Sequence, residues 1–171
     1  VCDTDADRLA SVTSKHPVEI TTTNPTELIE NERIEAVFIA TPWPLHRQLI
    51  ETAISLDKHI YCEKPLGINL EETQSMAAFA ARRGVVNQAG LCLRHQPSLW
   101  KTRELVESGS VGELQFALLR EDSRIPDTGD LYQTQLLDRL SGRGILWEEN
   151  IHDIDSLVYL LGNLTVKDFE V

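Results

Sequence analysis

Three short apolar runs, separated by stretches with helical spacing, limit this chain more than any other feature. "AVFIAT" (36–41), "KHIYCEK" (58–64) and "VVNQAGLCL" (85–93) read as buried strands. Between the first two lies "PWPLHRQLIETAISL" (42–56), where Leu45, Leu49, Ala53 and Leu56 share one helical face. Pro42 and Pro44 suit a first helical turn, where a missing N–H is harmless. Before the third strand, Asn69 is placed to cap "LEETQSMAAFAARRG" (70–84), with acids in its first turn and Arg82, Arg83 and Gly84 at its end. The order βαβαβ predicts an α/β fold with a parallel sheet and right-handed crossovers.

The pattern then changes. "PSLWKTRELVESGSVGEL" (97–114) reads as a helix stopped by Gly109, followed by a turn, and "LQFALLRED" (114–122) as a strand. Residues 123–143 are polar and read as a loop. "ILWEENIHDIDSLVYLLG" (145–162) reads as a helix ending at Gly162, and "LTVKDFEV" (164–171) alternates like a half-exposed strand. We expect a boundary in the region 94–113, with a first domain over 1–96 and a second over 97–171. "VCDTDADR" opens on Val1, inside what reads as a strand ending at Asp3. It resembles neither a signal peptide nor a natural start, so the chain is expected to be a piece of a longer protein.

Composition narrows the function. A formal net charge of −11, from 27 acidic and 16 basic residues, argues against a nucleic-acid or anionic-membrane surface. No apolar run approaches the roughly 18–20 residues of a membrane span. Cys2, Cys62 and Cys92 show no zinc spacing and read as small hydrophobes in a reducing compartment, which gives a cytoplasmic expectation.

Several positions carry chemistry. On the helix at 145–162, Trp147, Ile151, Ile154, Val158 and Leu161 form an apolar stripe. Glu148, His152, Asp155 and Tyr159 form a polar one beside it. Spacings of four and three residues set Glu148 and Asp155 on either side of His152. Carboxylate neighbours orient an imidazole and favour its charged form, which suits a general base; a solvated face with incidental charge pairs is the other reading. "EKP" at 63–65 puts two opposite charges and a proline at the carboxyl end of a strand, where open α/β sheets bind ligands. Taken alone, it reads more readily as a rim salt bridge and a turn. "ATPWPLH" (40–46) is a strand-to-helix turn whose backbone N–H groups suit an anionic or carboxamide group. His46 there is read as facing the same crevice or as a surface histidine. His59, at a strand start, reads as structural. Asp3 fits an acid that accepts from ribose hydroxyls, provided a first strand and Gly-rich loop lie upstream; otherwise it is an exposed strand-end acid.

In order, the strand-end acid, "ATPWPLH", "CEKPLGINLEET", "GLCLRHQPSLWKTRELVESGSVGEL" and "GILWEENIHDIDSLVYLLG" resemble the Gfo/Idh/MocA family of NAD(P)-dependent oxidoreductases over nearly the whole chain. The resemblance implies an incomplete Rossmann domain followed by the start of an α+β domain with a mostly antiparallel sheet, and an active site between them. It implies hydride transfer between a nicotinamide cofactor, NAD with NADP possible, and a CH–OH carbon of a sugar, inositol or related polyol. Lys64 then matches the lysine that hydrogen-bonds the substrate hydroxyl, and His152 the general acid/base. Glu148 stands where the family often has an aspartate, and Asp155 joins Lys64 and His152 at the substrate. Thr41 and Pro42 match the segment along the cofactor, with Glu63 and Arg94 near the nicotinamide. Asp3, with no adjacent Arg or Ser, leans towards NAD. A homo-oligomeric parent is expected, and no metal. Redox-neutral glycoside hydrolysis with NAD, and a non-catalytic dinucleotide-binding regulator, are the alternatives the resemblance leaves open.

Overall fold

A computed structural model describes residues 1–120, 150–165 and 167. It divides into two compact units, Val1–Gly90 and Leu91–Val171.

In the first unit the elements are α1 (Ala6–Thr13), α2 (Pro25–Glu30), β1 (Ala36–Ile39), α3 (His46–Ser55), β2 (His59–Cys62), α4 (Leu70–Arg83) and β3 (Asn87–Ala89). A 3-10 turn, Trp43–Leu45, leads into α3. Local chemistry accounts for the helix starts. Asp5 accepts from the Asp7 and Arg8 amides ahead of α1, and Asn24 accepts from the Thr26 amide ahead of α2, with Pro25 in the first turn. Asn69 accepts from the Glu72 amide ahead of α4, as its sequence predicts, and Gly84 closes that helix at φ +70°. The expectations above placed no helix at α1 or α2. Both are short and announced mainly by their caps.

The three strands form a parallel sheet in the order β1–β2–β3, with Val37 opposite Ile60, Ile39 opposite Cys62, and Cys62 opposite Ala89. Alternation then does its work. Val37, Ile39, Ile60 and Cys62 point to one face and bury with Ile50, Ala53 and Ile54 of α3 and Met76 and Ala80 of α4. On the other face Phe38 stacks on Tyr61 at 5.1 Å and stays 77% exposed. A small cavity of about 60 Å³ lies between β2, β3, α3 and α4, lined by Ile54, Cys62, Met76 and Ala89 among others.

The second unit holds a 3-10 turn (Cys92–His95), α5 (Pro97–Glu107) and α6 (Asn150–Leu161). Pro97 starts α5, and Gly109 lies just beyond it at φ +69°. α6 packs on α5 and on the 3-10 turn.

Some expected strands are shorter or different. The run 85–93 forms a ladder only over Asn87–Ala89, and the 3-10 turn takes its last residues. Val1–Asp3 contributes one parallel bridge, Cys2 to Thr22, rather than a strand within the sheet. Residues 114–120 pair with no strand among the described residues. Phe116 and Leu118 are exposed there, because apolar alternation makes a strand only when a neighbour supplies the other half of the ladder. The expected loop at 123–143, the expected helix start at 145–149, and residues 166 and 168–171 of the expected last strand lie outside the described residues.

Ile54 is fully buried beside the cavity. Ile54→Ala should lower stability by about 2–5 kcal/mol, seen as a lower denaturant midpoint of the first unit. An unchanged midpoint would contradict this account of the core.

Candidate functional site

The carboxyl ends of β1, β2 and β3 carry the candidate residues of the first unit. The ladder runs one step past the strands. The Glu63 amide donates to the Ile39 carbonyl at 2.9 Å, and the Gly90 amide donates to the Cys62 carbonyl at 2.7 Å. Glu63 is therefore held in register with both neighbours. Its carboxylate accepts from the Lys64 amide at 3.3 Å and from the Tyr61 hydroxyl at 3.4 Å. Gly90 makes room for it: a Cβ there would sit 2.8 Å from Glu63 Oε2 and 3.1 Å from the Glu63 Cα.

Lys64 follows, half-buried, and its peptide to the buried Pro65 is cis. The far side of this turn is anchored on α4. The Ile68 amide donates to Glu72 Oε2 at 2.5 Å, while the Glu72 amide donates to Asn69 Oδ1 at 2.8 Å. This reciprocal arrangement at a helix start satisfies two backbone donors at once. Lys64 thus sits on a turn fixed at both ends, which is what aiming an ammonium requires.

After β1, the Thr41 hydroxyl oxygen is buried with no hydrogen-bond partner among the described residues. Buried polar atoms are nearly always paired, so this one is a candidate for a ligand's polar group. Pro42 is exposed next to it. His46 is placed otherwise than expected. It is 0% exposed, with Nδ1 2.9 Å from the Pro65 carbonyl and Nε2 2.8 Å from the Thr41 carbonyl. Both ring nitrogens are occupied by backbone, so the side chain does not face a crevice. Asp3 is half-buried, and one of its oxygens accepts from the Asp5 amide at 2.9 Å. His59 accepts from the Val86 amide, a structural contact.

In the second unit the expected pairing on the long helix changes. Asp155 does not flank His152 as a partner. It accepts two bonds from Arg94, Nε to Oδ2 at 2.7 Å and Nη2 to Oδ1 at 2.5 Å. Such a fork outcompetes an i,i+3 contact to an imidazole because both donors are charged and coplanar with the carboxylate. The Asp155 bond also raises the Arg94 pKa above its usual value, so the guanidinium stays charged. Tyr159 lies between Arg94 and Arg103, whose guanidinium carbons are 5.5 and 4.4 Å from the ring centre. His152 is half-buried, and its Nδ1 has no partner among the described residues. The expected neighbour Glu148 lies outside them. Among the described residues no cluster of His, Cys, Asp or Glu is arranged to hold a metal, and no helix is long and apolar enough to cross a membrane.

Sequence reasoning missed Gly90, Glu72 and Arg103. "NLEE" carried the capping signal for Glu72. Gly90 and Arg103 act across chain segments, and no local spacing announces them.

Comparison with known proteins gives a consistent picture. The family profile described as "Oxidoreductase family, NAD-binding Rossmann fold" matches residues 1–91. An uncharacterized oxidoreductase, YrbE, of Bacillus subtilis is 33% identical over 163 residues, covering 95% of this chain and 46% of that protein. Myo-inositol 2-dehydrogenase of Thermotoga maritima is 32% identical over 162 residues, with coverage of 95% and 46%. Among solved structures, myo-inositol 2-dehydrogenase from Lactobacillus plantarum superposes with a TM-score of 0.77 at 28% identity, covering 94% of this chain and 47% of that one. The chain therefore spans about half the length of the curated relatives it matches.

Two outcomes are expected. Gly90→Ala should destabilise the first unit by about 1–3 kcal/mol, because the clash involves Glu63 backbone and cannot be relieved by a rotamer change. The Cys62 thiol is pushed up to about 12 by burial, with the Glu63 charge adding to it. It should resist alkylation in the folded protein while exposed Cys92 reacts. Its linked stability is complete below the ordinary thiol value of 9.0 and falls as pH rises from there towards about 12. Equal labelling of both thiols under native conditions would refute the burial assigned to Cys62.

Proposed function

Because the chain belongs to the Gfo/Idh/MocA oxidoreductase family, with its NAD-binding Rossmann fold, we propose that the protein transfers a hydride between a nicotinamide cofactor and a CH–OH carbon of a sugar, inositol or related polyol. The observation that carries this reading is the strand-end arrangement: Thr41, Glu63-Lys64 and Gly90 stand in register past three adjacent parallel strands. Inositol and levoglucosan dehydrogenases among the similar proteins support the substrate class.

When bound, NAD supplies a nicotinamide carbon that accepts or donates the hydride. The residues of this chain do the rest. The buried Thr41 hydroxyl fits a polar group of the cofactor, with Pro42 lining the same segment; the turn itself offers little backbone N–H, since Pro42 and Pro44 have none and the Leu45 amide already donates to the Pro42 carbonyl. Asp3 is assigned to the adenine ribose and favours NAD. Glu63 is assigned to the nicotinamide side. Lys64 binds the substrate oxygen and polarises it. His152 takes or returns the hydroxyl proton, and its Nδ1, unpaired among the described residues, fits an orienting partner, the role proposed for Glu148. Arg94 and Asp155 are reassigned: their mutual fork fixes α6 on the 3-10 turn, so they support His152 rather than contact cofactor and substrate directly.

The proposal extends to architecture and setting. Residues 1–96 form the dinucleotide-binding domain. Residues 97–171 begin an α+β domain whose sheet is mostly antiparallel. The protein is cytoplasmic and homo-oligomeric.

The test is titration of the full-length protein with NAD and NADP, then a screen of inositols and sugars for nicotinamide reduction. His152→Ala should lower turnover by about 100-fold or more, and Lys64→Ala by a comparable factor, each with the fold retained. NAD binding without net reduction by any polyol would overturn the dehydrogenase reading. Failure to bind either dinucleotide would overturn the site.

A further inference from the structure

We propose that His46 is a positioning residue for Lys64: its buried ring is a strut that fixes the turn after β2 against the turn after β1. The ring has no exposed surface, yet both nitrogens face backbone carbonyls, Pro65 at 2.9 Å from Nδ1 and Thr41 at 2.8 Å from Nε2. A carbonyl only accepts, and a ring nitrogen donates only when it carries a proton, so each contact is a hydrogen bond when its own nitrogen is protonated, and both hold together only in the doubly protonated ring. The arrangement is therefore not generic core packing, which would favour an apolar side chain of similar volume.

The two tethers matter because of where they attach. Lys64 has Glu63 on one side and Pro65 on the other. Glu63 is held through its amide to the Ile39 carbonyl. Pro65 is held through its carbonyl to His46 Nδ1, and its ring removes freedom at φ. The Lys64 Cα is thus pinned from both directions, one tether reaching β1 and the other α3. Nε2 acts on the neighbouring turn, at the residue whose hydroxyl is buried and unpaired among the described residues. One imidazole sets the spacing between the segment assigned to cofactor and the segment assigned to substrate. That assignment rests on the function proposed above. The tethering itself does not.

Two substitutions separate the tethers. An asparagine amide nitrogen falls close to the place of Nδ1, and a glutamine amide nitrogen close to that of Nε2. His46→Asn keeps the Pro65 side, and His46→Gln keeps the Thr41 side. In the full-length protein, amide exchange is followed in peptides covering 63–68 and 41–45, alongside kcat and KM. His46→Gln should speed exchange over 63–68 and leave 41–45 near its native rate. It should lower kcat about tenfold or more with a smaller change in KM, since a small misplacement of a reacting group is expensive in rate. His46→Asn should show the reverse exchange pattern and a smaller loss of kcat. Equal loosening of both turns by both variants, or of neither, would overturn the strut. If the native protein turns over no polyol, the functional reading fails, and the exchange contrast still decides the positioning claim.

Discussion

One hydrogen bond, from the Glu63 amide to the Ile39 carbonyl, sets the height of everything at the carboxyl end of the sheet. It extends the parallel ladder one residue past β2, so Lys64 begins at a defined level above β1. The matching bond from Gly90 to Cys62 fixes β3 at the same level. Each such bond adds only about 0.5–1.5 kcal/mol. Their larger effect is geometric: register in a sheet is all-or-none, and a slip of one residue would turn Cys62 outward and Lys64 away from its place. The buried stripe of Val37, Ile39, Ile60 and Cys62 makes that slip costly, so the hydrophobic core and the aim of Lys64 are one constraint.

The second unit solves a different problem. A helix with adjacent apolar and polar stripes would ordinarily bury the apolar one. Here the polar stripe of α6 is engaged as well, through Asp155 to Arg94 and Tyr159 near two guanidinium groups, while of the apolar stripe Ile151 and Val158 are half-buried and Ile154 is 59% exposed. The fork is partly buried and bidentate, the geometry in which an ion pair gives direction as well as energy. It ties α6 to the 3-10 turn one helical turn beyond His152.

Much of the first unit was legible in the sequence. Its strands and the two helices between them follow from periodicity, and Asn69 and Gly84 marked the ends of one helix correctly because caps are local chemistry. The strand ends were read too long at 41, 64 and 93: backbone pairing stops within a step of Ile39, Cys62 and Ala89, and the chain leaves the sheet there whatever the polarity of the next residues. "EKP" was legible as a feature, but its support was not. Glu72 alone had a local signal, the capping pattern in "NLEE". Gly90 and His46 act through contacts between segments apart in the chain, and no spacing rule reaches across a fold. The Arg94–Asp155 fork escaped for the same reason. Helical spacing pointed Asp155 at His152, and a partner outside that helix took it.

The crowding at the strand ends also bears on how such a protein can change. A Cβ at Gly90 would meet Glu63, and one at Gly67 would meet Thr73 and Glu72. At both glycines a new side chain would displace its neighbours. On the proposed function, changes of substrate preference must therefore be explored at other positions, which can vary without disturbing this packing. The strand-end turn is the fixed bearing about which such variation turns.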